Sequence, residues 1–216
     1  MPPRRAPTPI IKKYILIYGD SHANSNFKNL IVPGYNVLNF YQSNITMYRI
    51  GRDNTIINFD TQYLSTKNTF IFSYGEIDVR YHIHNQINRG RNEDDIIDHL
   101  VTSYFITIQN NITSYNKIII SAILPPKNID ATVDPENYTQ TYPFLGSIVE
   151  RVRYRQNINH VLRTKCLEFG FLFFDPFSPY TNENGSLLFA LSDSDVHVGN
   201  NQLILDSFVE TIAPLL

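Results

Sequence analysis

The segment Gly19-Asp20-Ser21-His22 follows directly on the apolar run Tyr14-Ile-Leu-Ile-Tyr18. A glycine at that point permits a sharp turn from strand into helix, leaving Ser21 at the amino end of the helix. Its hydroxyl would stand over the sheet, and its N–H would point toward an oxyanion forming at an attacked carbonyl. A serine hydroxyl is a weak nucleophile and needs a general base, for which histidine is the suitable residue type. Of the six histidines, His197 has the best setting, in the polar loop Leu191-Ser-Asp-Ser-Asp-Val-His197-Val-Gly. Asp193 and Asp195 flank it closely enough to orient its ring and stabilise the imidazolium, as the third member of a triad does. Taken singly, Ser21 reads equally as a helix cap and His197 as a loop histidine near acids. Together they read as a nucleophile and its base.

A second group of chemistry-bearing residues lies between Gly75 and His84: Glu76, Asp78, Arg80, His82 and His84. On an extended segment alternate residues point one way, so Asp78, Arg80, His82 and His84 would line one wall. His-x-His with carboxylates has enough ligands for a divalent ion. An internal ion pair of Arg80 with Glu76 or Asp78 is the expected reading instead, with no metal and no other cofactor. His22 is expected to touch substrate, whereas His99 and His160 fall inside helical patterns and are read as structural. From Pro33 to Asp60 the chain carries Tyr35, Tyr41, Tyr48, Arg49 and Arg52 among many amides, which suits a sugar or another polar ester.

The elements that must position these residues follow from periodicity. The apolar run Tyr14–Tyr18 reads as a central parallel strand buried on both faces, and Asn36–Phe40, Thr69–Tyr74, Lys117–Ile123 and Phe171–Phe174 read as four further strands. Between them, apolar residues at Ile96, Ile97, Leu100, Val101, Tyr104, Phe105 and Ile108 form the stripe of an amphipathic helix from Asn92 to about Tyr115. A second long helix is predicted from about Gly146 to Phe169, stopped by Gly170, and a last one from about Gln202 to Ile212. The cluster Arg151, Arg153, Arg155 on the second is read as a solvated face. Strands alternating with helices predict an α/β fold of three layers, α/β/α, with a five-stranded parallel sheet. Ligands in such sheets sit beyond the carboxyl ends of the strands, where Ser21 and Glu76 fall.

Composition bounds the rest. The 216 residues carry 18 Lys and Arg against 20 Asp and Glu, a formal charge of −2, with 43% hydrophobic and 18% charged residues. That balance excludes a disordered chain and argues against a protein held to nucleic acid by phosphate neutralisation. No apolar run approaches the roughly 18–20 residues that span a bilayer, so no membrane partner is expected. One cysteine, Cys166, makes neither an internal disulfide nor a thiolate metal site. Residues 1–12 are read as a flexible leader without the apolar core of a secretory signal, and 13–216 as one domain; a cytoplasmic location is the expectation. Phosphate-binding readings fail, since no Gly-x-Gly-x-x-Gly or glycine–lysine loop follows the first strand.

Gly19-Asp20-Ser21 near the start with a late Asp/His segment resembles the SGNH or GDSL-like superfamily of serine esterases and acyl hydrolases. The Gly-Asp-Ser-His-Ala spelling is similar to members associated with O-acetylation or deacetylation of polysaccharides. The resemblance runs on through Thr46-Met-Tyr-Arg-Ile-Gly51-Arg52-Asp53 and Gly75-Glu-Ile-Asp78-Val-Arg80 to His197. It implies the flavodoxin-like SGNH-hydrolase fold, Ser21 as nucleophile, His197 as base, and the N–H groups of Ser21 and Gly51 as oxyanion donors. The third block of the family usually reads Gly-x-Asn-Asp, and here Ile77 stands where the asparagine is expected. Glu76, Asp78, His82 and above all the positively charged Arg80 are the residues of that block expected near substrate. The family spacing Asp-x-x-His would place the acid at 194, which is Ser194. Asp193 is preferred because an added loop residue could restore its reach, with Asp195 or a Ser–His dyad as alternatives. The resemblance thus implies an esterase or acyltransferase acting through acyl-Ser21 on O-acyl, above all O-acetyl, groups of a carbohydrate. A catalytically impaired glycan-binding or accessory protein is the alternative.

Overall fold

The computed structural model describes residues 13–54, 59, 61–64, 67–112, 116–129 and 141–216. The leader expected at 1–12 lies outside them. Five parallel strands, β1 (Lys13–Gly19), β2 (Tyr35–Tyr41), β3 (Thr69–Ser73), β4 (Lys117–Ser121) and β5 (Leu172–Phe174), form one sheet in the order β2-β1-β3-β4-β5. All five strands read from the sequence are present, with ends that differ by a few residues.

Side-chain alternation along the strands divides the core between the two faces of the sheet. Leu16, Phe70, Phe72, Ile118 and Ile120 point to one face, where they pack with Ile97, Leu100, Val101, Phe105, Ile158 and Leu162. These helical residues belong to α4 (Glu93–Asn111) and α5 (Ile148–Phe169). Ile15, Ile17, Ile71 and Ile119 point to the other face and meet Phe27, Ile204 and Phe208, from α1 (Ser21–Phe27) and α6 (Gln202–Thr211). For β1, β3 and β4, both faces being covered explains why they read as apolar runs rather than as alternating ones.

The long helices start and stop where their caps require. Asn92 Oδ1 accepts from the N–H groups of Asp94 and Asp95, and three acids occupy the first turn of α4, where the helix dipole favours them. Ser147 and Glu150 cap α5 reciprocally, and Gly170 ends it in the left-handed conformation at φ +71°.

Three local readings are corrected. The segment after Gly75 is helical: a π-helical turn, Asp78–His82, runs into α3, Ile83–Ile87. Alternate residues there cannot line one wall. The arginines of α5 are not a common solvated face, since Arg151 is fully buried and donates to the carbonyls of Leu145, Gly146 and Ile129. Only Arg153 lies at the surface, paired with Glu93 at 2.8 Å, while Arg155 Nε donates to the Ile123 carbonyl. The helix α2 (Met47–Asp53) is an element that periodicity missed, because only Met47 and Ile50 of its seven residues are buried. Among the described residues no helix is long and apolar enough to cross a membrane.

Candidate active site

With the order β2-β1-β3-β4-β5, the strand sequence reverses between β1 and β3, and their carboxyl ends frame the crevice where such sheets bind ligands. Ser21 leaves the end of β1 as the first residue of α1, and Glu76 follows the end of β3. The turn between β1 and α1 is tight. A Cβ on Gly19 would meet Ala23 Cβ at 2.3 Å and the Ser73 carbonyl at 2.4 Å, so only glycine lets β1 and β3 approach as they do. Asp20 caps α1 by accepting the His22 N–H at 2.9 Å.

His197 arrives from the other end of the chain. The segment Ser192–Val198 folds back on itself through an antiparallel bridge between those two residues, with the Asp193 N–H donating to the His197 carbonyl at 3.0 Å. His197 Nε2 stands 2.9 Å from Ser21 Oγ, and Nδ1 stands 3.1 Å from Asp193 Oδ2. With Nδ1–H donating to the carboxylate, Nε2 is left to accept the serine proton, which is the tautomer a general base needs. The other Asp193 oxygen accepts the N–H groups of Asp195 at 2.9 Å and His197 at 3.2 Å, so the loop backbone itself fixes the carboxylate. The extra residue relative to Asp-x-x-His is absorbed at Ser194, whose φ of +72° turns the chain. Asp195 points away; its side chain is 65% exposed and pairs with Lys127 at 3.1 Å.

Charge around these groups has identifiable causes. Burial, and next the neighbouring His22, hold His197 below its ordinary value, outweighing the pull of Asp193 and Glu76. Burial pushes Asp193 up, but the Asp195 N–H and the hydrogen bond from His197 prevail and leave it below the usual carboxylate range. Asp20 is raised by burial to about 6. Asp78, fully buried, is raised by burial to about 7 although the N–H groups of Met47 and Tyr48 donate to it at 2.7 and 3.2 Å.

Several residues assigned to substrate or oxyanion binding lie elsewhere. Gly51 sits inside α2, where helical pairing takes its N–H to the carbonyl four residues back, so it is no oxyanion donor. Glycine is needed there because α2 crosses α4 closely; a Cβ would meet Ser103 Cβ at 2.7 Å. Asp78 faces no substrate, since it is completely buried and holds the amino end of α2. His82 is stacked on Tyr48 with ring centroids 4.0 Å apart, and burial lowers it to about 4. His22 is 3% exposed and is turned inward rather than offered to a substrate. Its Nε2 lies 3.3 Å from Glu76 Oε2, and Arg80 lies 3.2 Å from the same oxygen. His99 and His160 are exposed on their helices rather than structural. Ile77 is buried.

Phe144 went unrecognised in the sequence, because nothing near it in the chain marks it. Its ring is sandwiched by the guanidinium groups of Arg80 at 5.1 Å and Arg151 at 5.3 Å, and it packs on Val196, next to His197. Among the described residues no cluster of His, Cys, Asp and Glu side chains is arranged to hold a metal ion.

Solved structures place this architecture among known folds. The native aryl esterase of M. smegmatis matches at a TM-score of 0.58 and 13% identity, over 94% of this chain and 100% of that one. Est24, a carbohydrate acetylesterase from Sinorhizobium meliloti, matches at 0.55 and 13%, over 95% and 100%. A GDSL-like lipase from Bacteroides thetaiotaomicron matches at 0.56 and 15%, over 95% and 89%. The fold is that of the SGNH hydrolases. No protein-family model matches the sequence, and neither does any curated protein. The likeness therefore resides in the SGNH fold, at identities of 13–15%.

Proposed function

We propose that this protein is a serine esterase or acyltransferase acting on O-acyl, above all O-acetyl, groups of a carbohydrate. The observation that carries the reading is the line Ser21 Oγ, His197 Nε2, His197 Nδ1, Asp193 Oδ2, closed by contacts of 2.9 and 3.1 Å. His197 takes the Ser21 proton as Oγ attacks the ester carbonyl, and the tetrahedral intermediate collapses to acyl-Ser21 with proton return to the departing alcohol. Water then hydrolyses the acyl-enzyme, or a sugar hydroxyl accepts the acyl group. The Ser21 N–H, among the free amide donors at the start of α1, is the proposed oxyanion contact. The carbohydrate assignment draws support from Est24 as a fold relative. One observation favours the alternative of an impaired glycan-binding protein: Ile77 occupies the position of the usual oxyanion asparagine. A missing donor of that kind costs about 2.7–4 kcal/mol of transition-state stabilisation.

Hydrolysis of p-nitrophenyl acetate by wild type and Ser21→Ala, with mass spectrometry of the acetylated protein, tests the reading. Turnover lost in the variant, with the adduct on Ser21, supports it. Equal rates in both proteins, or no adduct and no turnover on acetylated glycans, overturn it.

A further inference from the structure

His22 touches the triad without belonging to it. Its ring lies 4.5 Å from that of His197, centroid to centroid, at 36°. Glu76 holds its Nε2, and Arg80 holds Glu76; the His22 and Glu76 side chains are only 4% and 7% exposed. The other ring nitrogen, Nδ1, is buried with no hydrogen-bond partner, and so are Asp20 Oδ2 and Asn26 Oδ1. All three residues line one polar cavity of about 10 Å³. That is the room one water molecule needs, and three polar partners is the usual number for a buried water.

The polar groups around this cavity suit a charged His22 ring. With Asp20 ionised, a water there donates its two protons to Asp20 Oδ2 and Asn26 Oδ1. It can then accept a hydrogen bond from a proton on His22 Nδ1. The ion pair with the Glu76 carboxylate, at 3.3 Å, is strongest with a proton on Nε2 as well. With hydrogen on both nitrogens the ring is an imidazolium, the form that Asp20 and Glu76 favour.

We propose that the cavity binds one water molecule and that His22, held as an imidazolium between this water and Glu76, is a positioning residue that seats the His197 ring and keeps it neutral. The proposal rests on His197 being the base for Ser21. The groups facing His197 are Asp193 on its own loop, His22 from α1 and Glu76 from the segment after β3. Asp20 and Arg80 act on His22, and Asp195 with Lys127 forms a pair on the outer side of the loop. Asp193 and Glu76 favour a protonated His197; burial and His22 oppose it and prevail. The same repulsion drives the proton from His197 to the departing alcohol, the step in which the base must become an acid.

Histidine C–H resonances followed against pH by NMR test this without turnover. In a Ser21→Ala background, His197 is compared with His22 intact, with His22→Gln, which can still donate to Glu76, and with His22→Phe, which keeps a ring. Removing the positive charge should raise the His197 titration midpoint by about 0.5–1 pH unit in both variants. With Ser21 restored, the acid limb of kcat/KM should move up equally while KM stays put. A high-resolution crystal structure should show a water within hydrogen-bonding distance of Asp20, His22 and Asn26. An unchanged His197 midpoint in the folded Gln variant, or a dry cavity, overturns the proposal. A protein that hydrolyses no ester but shows the shifted titration would overturn the esterase reading alone.

Discussion

Asp193 and His197 lie four residues apart in one small loop, yet their side chains meet at 3.1 Å and the same carboxylate accepts two of the loop's own N–H groups. The two side chains therefore form a local unit, built by one turn, and only Ser21 has to be delivered from elsewhere. Asp195, two residues from either, takes part through its backbone alone.

The first consequence separates the two aspartates. Asp193→Asn should reduce kcat on an activated ester by about 10³–10⁴-fold, because an amide no longer holds the required tautomer. Asp195→Asn, which removes an exposed ion pair with Lys127, should change kcat by no more than about twofold. Steady-state kinetics of the two variants checks the difference.

The turn itself is under strain. Ser194 adopts φ +72°, a conformation glycine takes freely and β-branched residues resist. Ser194→Gly should raise stability by about 0.5–1 kcal/mol and leave kcat near wild type, while Ser194→Val should lower both. Urea unfolding and kinetics on the same samples give the answer.

The pH profile should have its acid limb below the ordinary histidine value. His197 must be neutral to take the Ser21 proton, and its pKa is lowered from 6.5 by burial and by His22. Activity therefore rises with pH through a midpoint under 6.5 and is full at neutrality. A kcat/KM profile with a midpoint above 7 would contradict this.

Asp78 makes stability depend on pH in the opposite sense to most carboxylates. Its folded pKa, about 7, lies above 3.8, so between these values the folded protein binds more protons than the unfolded chain. Its contribution is fully present below about pH 4 and is lost as pH rises through 7. The stability of wild type relative to Asp78→Asn should accordingly fall between pH 4 and 7, as urea midpoints across that range would show.

Arg151 is a buried cation whose donors go to main-chain carbonyls of two separate segments, around Ile129 and Leu145–Gly146. Arg151→Met keeps most of the volume but strands those acceptors, and should destabilise the fold by about 3 kcal/mol. Thermal or urea unfolding measures it.

What the sequence made legible were features with a local signature. The strands β1, β3 and β4 show as apolar runs, because both faces of the sheet are covered there. The helices α4 and α5 show through caps and a 3.6-residue stripe. The sharp exit from β1 shows as Gly19. What stayed hidden depended on partners distant in sequence. Asp78, Arg80, His82 and His84 looked like an alternating wall, but a π-helical turn brings Arg80 to Glu76 and sends Asp78 to the amino end of α2. Gly51 looked like an oxyanion glycine, whereas its lack of a side chain serves a helix crossing with Ser103. Nothing near Phe144 in sequence announces that two arginines from different helices will enclose it.

Ser21 and His197 are separated by 176 positions. Asn201, just beyond the histidine loop, donates from its side-chain amide to the carbonyls of Asn26 and Lys28, and Phe208 of α6 meets Phe27 of α1 edge-on. The segment carrying His197 thus also clamps the helix carrying Ser21. During synthesis the sheet strands, Ser21 and most of the core emerge before either His197 or the clamp exists. A growing chain can therefore bring Ser21 and His197 together only after the stretch through α6 has left the ribosome and docked.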